Sequence, residues 1–281
     1  FCTMYARGSR TTLYTTVGLL LSWMSNKASP AGSVAAKAAI LQVLGELSAV
    51  HGSAMVSLTL DTITLLTKQT RAPELPLRQT SWCALSGALV GSGGLPNQLQ
   101  QELLKSLKQT LSDRNSTVEL RIVCLQCVPH LAMYSESLWH SELFETLVNH
   151  AVKSLDDASP ATRATGAAVF GDLLLVALSK PFGGRTKRNS GNSKLLRSKF
   201  SLEGKKADAG SPIEAAAAAL SVPFGKSGAS RELRWGIARA AVQFLAGMRR
   251  PELERHAEYM LAQFLGMLSA PTGNNNSGRH P

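Results

Sequence analysis

Apolar residues recur along the chain at helical spacing, and no segment shows the alternation of apolar and polar residues that is typical of strands. Turns rich in glycine, proline and serine separate the helical segments. The pattern predicts helices near residues 11–25, 33–50, 53–69, 76–90, 97–112, 116–134, 138–155, 160–179, 212–220, 229–247 and 251–269. The chain is therefore predicted to be all-α.

A basic residue stands near the start of every second predicted helix. Lys37, Arg78, Arg121 and Arg163 are separated by 41, 43 and 42 residues. Arg234 follows 71 residues after Arg163, and removing a basic segment of roughly 29 residues returns that interval to about 42, within the range of HEAT and armadillo repeats. We predict an α-solenoid (an ARM-type superhelix) of about five HEAT-type helix pairs.

The turns between paired helices carry features that favour this repeat. Asp157, Pro160 and Arg163 follow one another in the order typical of a HEAT repeat. An aspartate in such a turn is expected to cap the next helix and to pair with the basic residue of its first turns. Pro129 interrupts the helical pattern eight residues after Arg121 and is expected to kink that helix.

The net charge belongs mostly to one segment. The chain has 281 residues, 44% of them hydrophobic, and a formal charge of +11, so a wholly disordered chain is excluded. Between Lys180 and Lys206, nine basic residues stand against one acid, Glu203, which gives that segment +8 and leaves +3 for the rest. We predict a HEAT-repeat array over 1–180, a basic disordered insertion over 181–210, a continuation of the array over 211–270, and a disordered tail over 271–281.

The basic segment is the candidate contact site. It consists of Lys180, Arg185, Lys187, Arg188, Lys194, Arg197, Lys199, Lys205 and Lys206. One interpretation is a solvated loop without a binding role. Another is contact with an anionic membrane or an acidic partner, since each basic residue near such a surface contributes about 1 kcal/mol. Nucleic acid is disfavoured because the segment has no aromatic stacking platform.

No pattern of catalytic or metal-binding residues emerges. Cys124 and Cys127 have metal-like spacing near His130, but a second ligand pair is missing and the cysteines lie in an apolar run. We predict no enzyme activity, no cofactor, no metal and no small-molecule substrate. The sequon Asn115-Ser116-Thr117 is interpreted as a helix cap.

The four scattered cysteines favour a reducing compartment. The longest apolar stretches fall short of the roughly 20 residues that a membrane span needs. The chain begins with Phe1 rather than methionine, and we expect it to be a fragment of a longer protein.

Several segments together resemble the N-terminal region of one family, over roughly residues 35–269. They are the run Leu111-Ser112-Asp113-Arg114-Asn115-Ser116-Thr117-Val118, the helix of Leu138-Trp139, the Arg163 repeat, the basic insertion and the run Ser230-Arg231-Glu232-Leu233-Arg234-Trp235-Gly236. In this order they resemble the HEAT repeat-containing protein 5 family, whose members are very long α-solenoids.

The resemblance implies a function in protein trafficking. Members of that family are accessory proteins of the AP-1 clathrin adaptor. The resemblance therefore implies a cytoplasmic scaffold, peripheral on the trans-Golgi network, endosomes or transport vesicles, with clathrin adaptor and adaptor-accessory proteins as partners. The alternatives from the same fold are an importin-like scaffold, which the sparse acidic residues disfavour, and a nucleic-acid-associated HEAT scaffold.

Overall fold

The computed structural model describes residues 10–25, 32–134, 141–180 and 211–269. Within these ranges the chain forms twelve α-helices and no strand. The helices are α1 Arg10–Ser25, α2 Val34–His51, α3 Val56–Gln69, α4 Leu75–Ser92, α5 Asn97–Ser112, α6 Val118–Gln126, α7 Val128–Met133, α8 Glu142–Ser154, α9 Pro160–Leu178, α10 Pro212–Phe224, α11 Arg231–Gly247 and α12 Arg250–Ser269. The predicted all-α fold is confirmed.

The chain divides into two compact units, Phe1–Glu136 and Ser137–Pro281. In unit 1, helices α2, α4 and α6 pack side by side, and each also packs on its pair partner, α1, α3 or α5. In unit 2, α9 and α11 pack side by side over α8 and α10, and α12 packs on α10. We call the first helix of each pair the A helix and the second the B helix. Each unit thus has the stacked helix pairs of an α-solenoid, as predicted.

The predicted repeat positions lie in the B helices. Lys37, Arg78, Arg121, Arg163 and Arg234 lie in the first turns of α2, α4, α6, α9 and α11, respectively. The described residues therefore contain the five predicted helix pairs. The basic insertion and the tail lie outside the described residues, so those two predictions remain untested.

Serine and threonine side chains start most of the described B helices. The hydroxyl of Ser33, Thr117, Ser159 or Ser230 accepts a hydrogen bond from a main-chain N–H in the first turn of α2, α6, α9 or α11. Such caps satisfy donors that have no partner within the helix. The interpretation of the sequon at Thr117 as a cap is therefore confirmed.

The HEAT-type turn before α9 differs in detail from the prediction. Ser159, not an aspartate, caps the helix. The carboxylate of Asp157 instead accepts a hydrogen bond from the N–H of Ser159, 2.8 Å away. The guanidinium of Arg163 donates to the main-chain oxygens of Asp157 and Ala158, at 2.7 and 3.1 Å. Arg163 therefore stabilises the turn by hydrogen bonds to the main chain of the turn.

Pro129 has a larger effect than the expected kink. Helix α6 ends at Gln126, and a separate short helix, α7, begins at Val128 with the proline in its first turn. Proline fits there because the first helical N–H groups have no intrahelical acceptor. The B position of the third pair is therefore built from two helices.

Leucine and aromatic side chains form the core of each unit. Trp82, Leu41, Leu44 and Leu85 are fully buried in unit 1. In unit 2 the fully buried residues include Phe170, Leu173, Leu174, Leu220 and Phe244. Their burial removes large apolar areas from water, which is the main stabilising contribution to folding.

Small residues allow neighbouring B helices to approach closely. A Cβ added at Gly91 of α4 would lie 1.7 Å from the main-chain oxygen of Ser48 in α2. One added at Gly45 would lie 2.6 Å from the Cα of Ala84. In unit 2, a Cβ at Gly171 would lie 2.7 Å from the side chain of Gln243. These contacts require glycine, because atoms cannot pack at such distances.

Two segments are long and apolar enough to cross a membrane by length and composition alone, Val34–Ala54 and Pro160–Leu178. The core helices of soluble proteins pass the same test. Helices α2 and α9, which form these segments, each pack against a neighbouring B helix. Such packing is what a core helix shows, but length and composition do not decide between the two. The expectation that the chain has no membrane span remains a prediction.

Candidate functional site

The B helices of unit 1 present one repeat position to solvent. Gln42, Cys83 and Gln126 each follow the basic residue of their helix by five residues, and all three are exposed. Because the repeat places equivalent residues on equivalent faces of stacked helices, these residues mark one surface across α2, α4 and α6. We call it the B-helix face of unit 1.

An open pocket of about 400 Å³ lies on this face between α2 and α4. Glu46 is the one charged residue in its lining, and the Nε2 of Gln42 donates to its carboxylate over 3.1 Å. The pocket is lined by Gln42, Gly45, Glu46, Ala49, Gln79, Thr80, Cys83, Ala84 and Gly87. Its rim thus offers two amides and a carboxylate, which can hydrogen-bond to the backbone or side chains of another chain.

The close approach of α2 and α4 shapes this pocket. Gly45, Ala84 and Gly87, which line it, also belong to the close contact between the two helices, where a Cβ at Gly87 would lie 3.0 Å from the oxygen of Gly45. The absence of large side chains at these positions leaves space above the helix contact. The same small residues therefore determine both the helix packing and the pocket.

We call the contact between two neighbouring B helices a junction. At the junction after that of α2 and α4, helix α4 meets the short helices α6 and α7 through longer side chains. His130 Nδ1 lies 3.0 Å from Ser86 Oγ and 3.1 Å from the main-chain oxygen of Gln126. The hydroxyl of Tyr134 donates to the oxygen of Val90 over 2.8 Å, and the thiol of Cys127 donates to the oxygen of Trp82 over 3.1 Å. His130 is thus bound within the junction.

Two of the three cysteines in the described part of unit 1 are packing residues. Cys124 and Cys127 are buried, whereas Cys83 is exposed at the pocket, and all three are free thiols. Burial, and then the nearby Cys127, raise the pKa of Cys124 well above its usual value. Burial and then Cys83 raise the pKa of Cys127. These thiols stay protonated at neutral pH, as predicted for cysteines in an apolar environment.

Cys83 is expected to react with iodoacetamide before Cys124 and Cys127 do, because only its thiol is exposed. Burial of part of its side chain raises its pKa, although a backbone hydrogen bond opposes the shift. Near neutral pH, less of Cys83 is then thiolate than in a free cysteine. The rate of its alkylation should therefore continue to rise above about pH 8.5. Mass spectrometry of proteolytic peptides measures the three rates, with Cys83→Ser as the control. Equal rates at the three cysteines would contradict the structure.

The site predicted from sequence lies almost wholly outside the described residues. Of its members, the structure describes Lys180, whose main-chain N–H donates to the oxygen of Ala177 over 3.0 Å just after α9. The others, which lie outside the described residues, are Arg185, Lys187, Arg188, Lys194, Arg197, Lys199, Lys205 and Lys206. Within the described part of the chain, no group of three or more His, Cys, Asp or Glu residues could hold a metal ion.

Sequence reasoning missed the pocket between α2 and α4. The sequence nevertheless indicates its location, because Gln42 follows Lys37 by five residues and Cys83 follows Arg78 by five residues. Residues at one repeat position that do not serve the core identify a shared exposed surface. The repeat register, used to find the fold, could also have located this face.

No family model matches the chain. A segment of 174 residues, 62% of this chain, is 25% identical to Protein SWEETIE of Arabidopsis thaliana, of which it covers 8%. The chain thus corresponds to a small share of that relative. Neither comparison shows membership of the HEAT repeat-containing protein 5 family.

Solved structures of engineered and designed proteins match the chain at low identity. A crystal structure of an engineered protein matches with a TM-score of 0.45 and 12% identity, covering 89% of each chain. A designed armadillo repeat protein matches with a TM-score of 0.44 and 16% identity, over 90% of this chain and 94% of that one. Another, in complex with the peptide (KR)4, has a TM-score of 0.43, 15% identity and coverage of 87% and 99%.

Proposed function

We propose that this protein is a non-enzymatic scaffold in vesicle-mediated transport between endosomes and the trans-Golgi network. Its partners in this proposal are the AP-1 clathrin adaptor and adaptor-accessory proteins, and its location is the cytoplasmic surface of those membranes and of transport vesicles. The support is the resemblance of its motifs to the HEAT repeat-containing protein 5 family. The structural observation that carries the binding function is the pocket on the B-helix face of unit 1.

The pocket suits an extended partner segment rather than a small molecule. It is open to solvent, and its polar groups include the amides of Gln42 and Gln79, the hydroxyl of Thr80 and the carboxylate of Glu46. Amides both donate and accept, so they can pair with the backbone of a segment that crosses the helices, while Glu46 can pair with a basic side chain. Repetition of such contacts along stacked helices increases affinity without an enclosed cavity.

Affinity purification with the full-length chain tests this function. Wild-type protein is expected to capture AP-1 adaptor subunits from cytosol and to bind purified adaptor. The double substitution Gln42→Lys with Gln79→Lys places two positive charges at the pocket and should weaken binding at least about tenfold, as loss of a central contact does. Partner binding should also slow the alkylation of Cys83.

A matched control changes the same residue types elsewhere in unit 1. Gln98→Lys with Gln101→Lys alters two exposed residues of α5 and should leave adaptor binding unchanged. Equal binding by the pocket variant and the control would overturn the assignment of the site. Recovery of ribonucleoproteins or importin cargo in place of adaptor subunits would overturn the trafficking function.

The basic segment supplies a second contact in this proposal. Its charge of +8 would hold the scaffold on anionic membranes, with strength that falls as salt increases. Deletion of residues 181–209 is expected to preserve the helical circular dichroism and to abolish most co-sedimentation with phosphatidylserine vesicles. Unfolding of the deletion variant, or unchanged vesicle binding, would contradict this contact.

A further inference from the structure

The pocket between α2 and α4 has one negative charge and no positive charge among the described residues that line it. Its charged residue is Glu46, which is exposed. Lys37 and Arg78, in the first turns of the two helices, do not line the pocket. Lys37 precedes Glu46 by nine residues, about 14 Å along the helix axis, and the Nε of Arg78 is buried. A group that enters the pocket therefore meets a carboxylate and no lining cation.

Several hydrogen-bond acceptors lie in the lining together with this carboxylate. The Nε2 of Gln42 donates to Glu46 over 3.1 Å. An ionised carboxylate accepts several hydrogen bonds, so Glu46 can accept from a ligand as well. The amide oxygens of Gln42 and Gln79 and the hydroxyl oxygen of Thr80 are further acceptors. The lining therefore suits a ligand group that carries several N–H donors.

The base of the pocket is small and apolar. Gly45 and Ala84 are buried at the contact between α2 and α4. Ala49 and Gly87 continue this surface, since a Cβ at Gly87 would lie 3.3 Å from the Cβ of Ala49. No side chain in this group is larger than a methyl group, so a methylene chain can lie over it. Lysine and arginine have such chains, which pack on apolar surfaces while the charged end reaches polar groups.

The charge of Glu46 disfavours other kinds of side chain in this pocket. An acidic side chain would be repelled by the like charge. An apolar side chain would remove water from the carboxylate without replacing its hydrogen bonds, which costs free energy. Arginine suits the lining better than lysine, because its planar guanidinium has five N–H donors. Two of them can bond to the carboxylate in parallel while others reach the neighbouring amide oxygens.

We propose that this pocket holds an arginine side chain from an extended segment of a partner protein. The guanidinium pairs with the carboxylate of Glu46, and the methylene chain lies over Ala49 and Ala84. The inference rests on the proposed function, because it takes the pocket to be where a partner segment binds. It also specifies that segment, since one carboxylate selects one arginine rather than a run of basic residues.

Selection of phage-displayed random peptides on the full chain tests this specificity. Peptides of about twelve residues are long enough to cross two neighbouring B helices in extended form. The selected peptides are expected to share one arginine. In fluorescence anisotropy with synthetic peptides, glutamine in place of that arginine should weaken binding at least about tenfold. Lysine in its place should weaken binding about threefold, because it retains the charge but not the planar donors.

Charge reversal in the protein gives the reciprocal measurement. Glu46→Arg should weaken binding of the arginine peptides at least about tenfold and should bind peptides with glutamate in place of the arginine more tightly than the wild type does. Glu46→Gln retains hydrogen bonding without the charge and should give a smaller loss. Glu102→Arg, at an exposed residue of α5, is the matched control and should leave peptide binding unchanged. Circular dichroism checks that each variant keeps its helical content.

A selection on the wild type that yields no shared arginine would overturn the proposal, as would equal binding of the arginine peptides by the wild type and Glu46→Arg. Failure of this inference is distinguishable from failure of the trafficking function. Capture of adaptor subunits together with a selection that lacks arginine would retain the trafficking function and reject the arginine. Selection of arginine peptides by a protein that captures no adaptor subunits would do the reverse.

Discussion

Gly91→Ala is expected to destabilise unit 1 by at least about 3 kcal/mol, the upper part of the range for overpacked interiors. The added methyl would lie 1.7 Å from the main-chain oxygen of Ser48. A flexible side chain could move away, but this atom belongs to the backbone of α2, which would have to shift as a whole. Helices α2 and α4 would then separate along their length.

Urea unfolding followed by circular dichroism measures this loss, and hydrogen exchange of the α2 and α4 peptides locates it. Gly18→Ala is the matched control, because no atom lies within 4 Å of the added Cβ in α1. There the substitution should stabilise the helix by about 0.5–1 kcal/mol, since alanine loses less backbone entropy than glycine. If hydrogen exchange in α4 were the same in Gly91→Ala as in the wild type, the two helices would not be in this contact.

Phe170→Ala is expected to destabilise unit 2 by about 3–5 kcal/mol. Phe170 lies in α9 and is fully buried. Removal of its ring loses the transfer free energy of the aromatic group and leaves a cavity, because a close-packed interior relaxes only in part.

Phe170→Leu is a graded control at the same position. It keeps an apolar side chain of similar size and should cost less than about 1.5 kcal/mol. Urea titrations of both variants give the two free energies of unfolding, and hydrogen exchange of the α9 and α11 peptides shows where protection is lost. A loss for Phe170→Ala no greater than that for Phe170→Leu would contradict the packing of α9.

Most of the fold could be predicted because its signals are local. The interval between Lys37 and Arg78 recurs along the chain and predicts the repeat. Serine, proline and glycine predict helix bounds within a few residues of those observed. The break at Pro129 was underestimated as a kink, because a proline alone does not show whether the second segment can begin a helix of its own. The sequence analysis expected an aspartate to cap α9, where Ser159 does so. Both residue types are good caps, and the sequence alone does not show which one takes the position.

The candidate site was beyond sequence reasoning because it depends on packing between helices. Gln42 and Gln79 have no motif, and they line one pocket only because Gly45 and Ala84 bring α2 and α4 together. The sequence likewise does not show which cysteine is exposed. Cys83 lies in α4 and Cys127 lies between α6 and α7, and the packing of these helices leaves the first exposed and the second buried.

The two junctions of unit 1 differ in a way that determines stiffness. Between α2 and α4 the contact joins backbone to backbone, at Gly91 and Ser48, whereas between α4 and α7 it passes through the ends of side chains such as His130. Side chains rotate more easily than backbones bend, so we expect bending of this unit to concentrate at the second junction. The pocket lies at the first, and a partner that binds there meets a nearly rigid surface whose ordering costs little entropy.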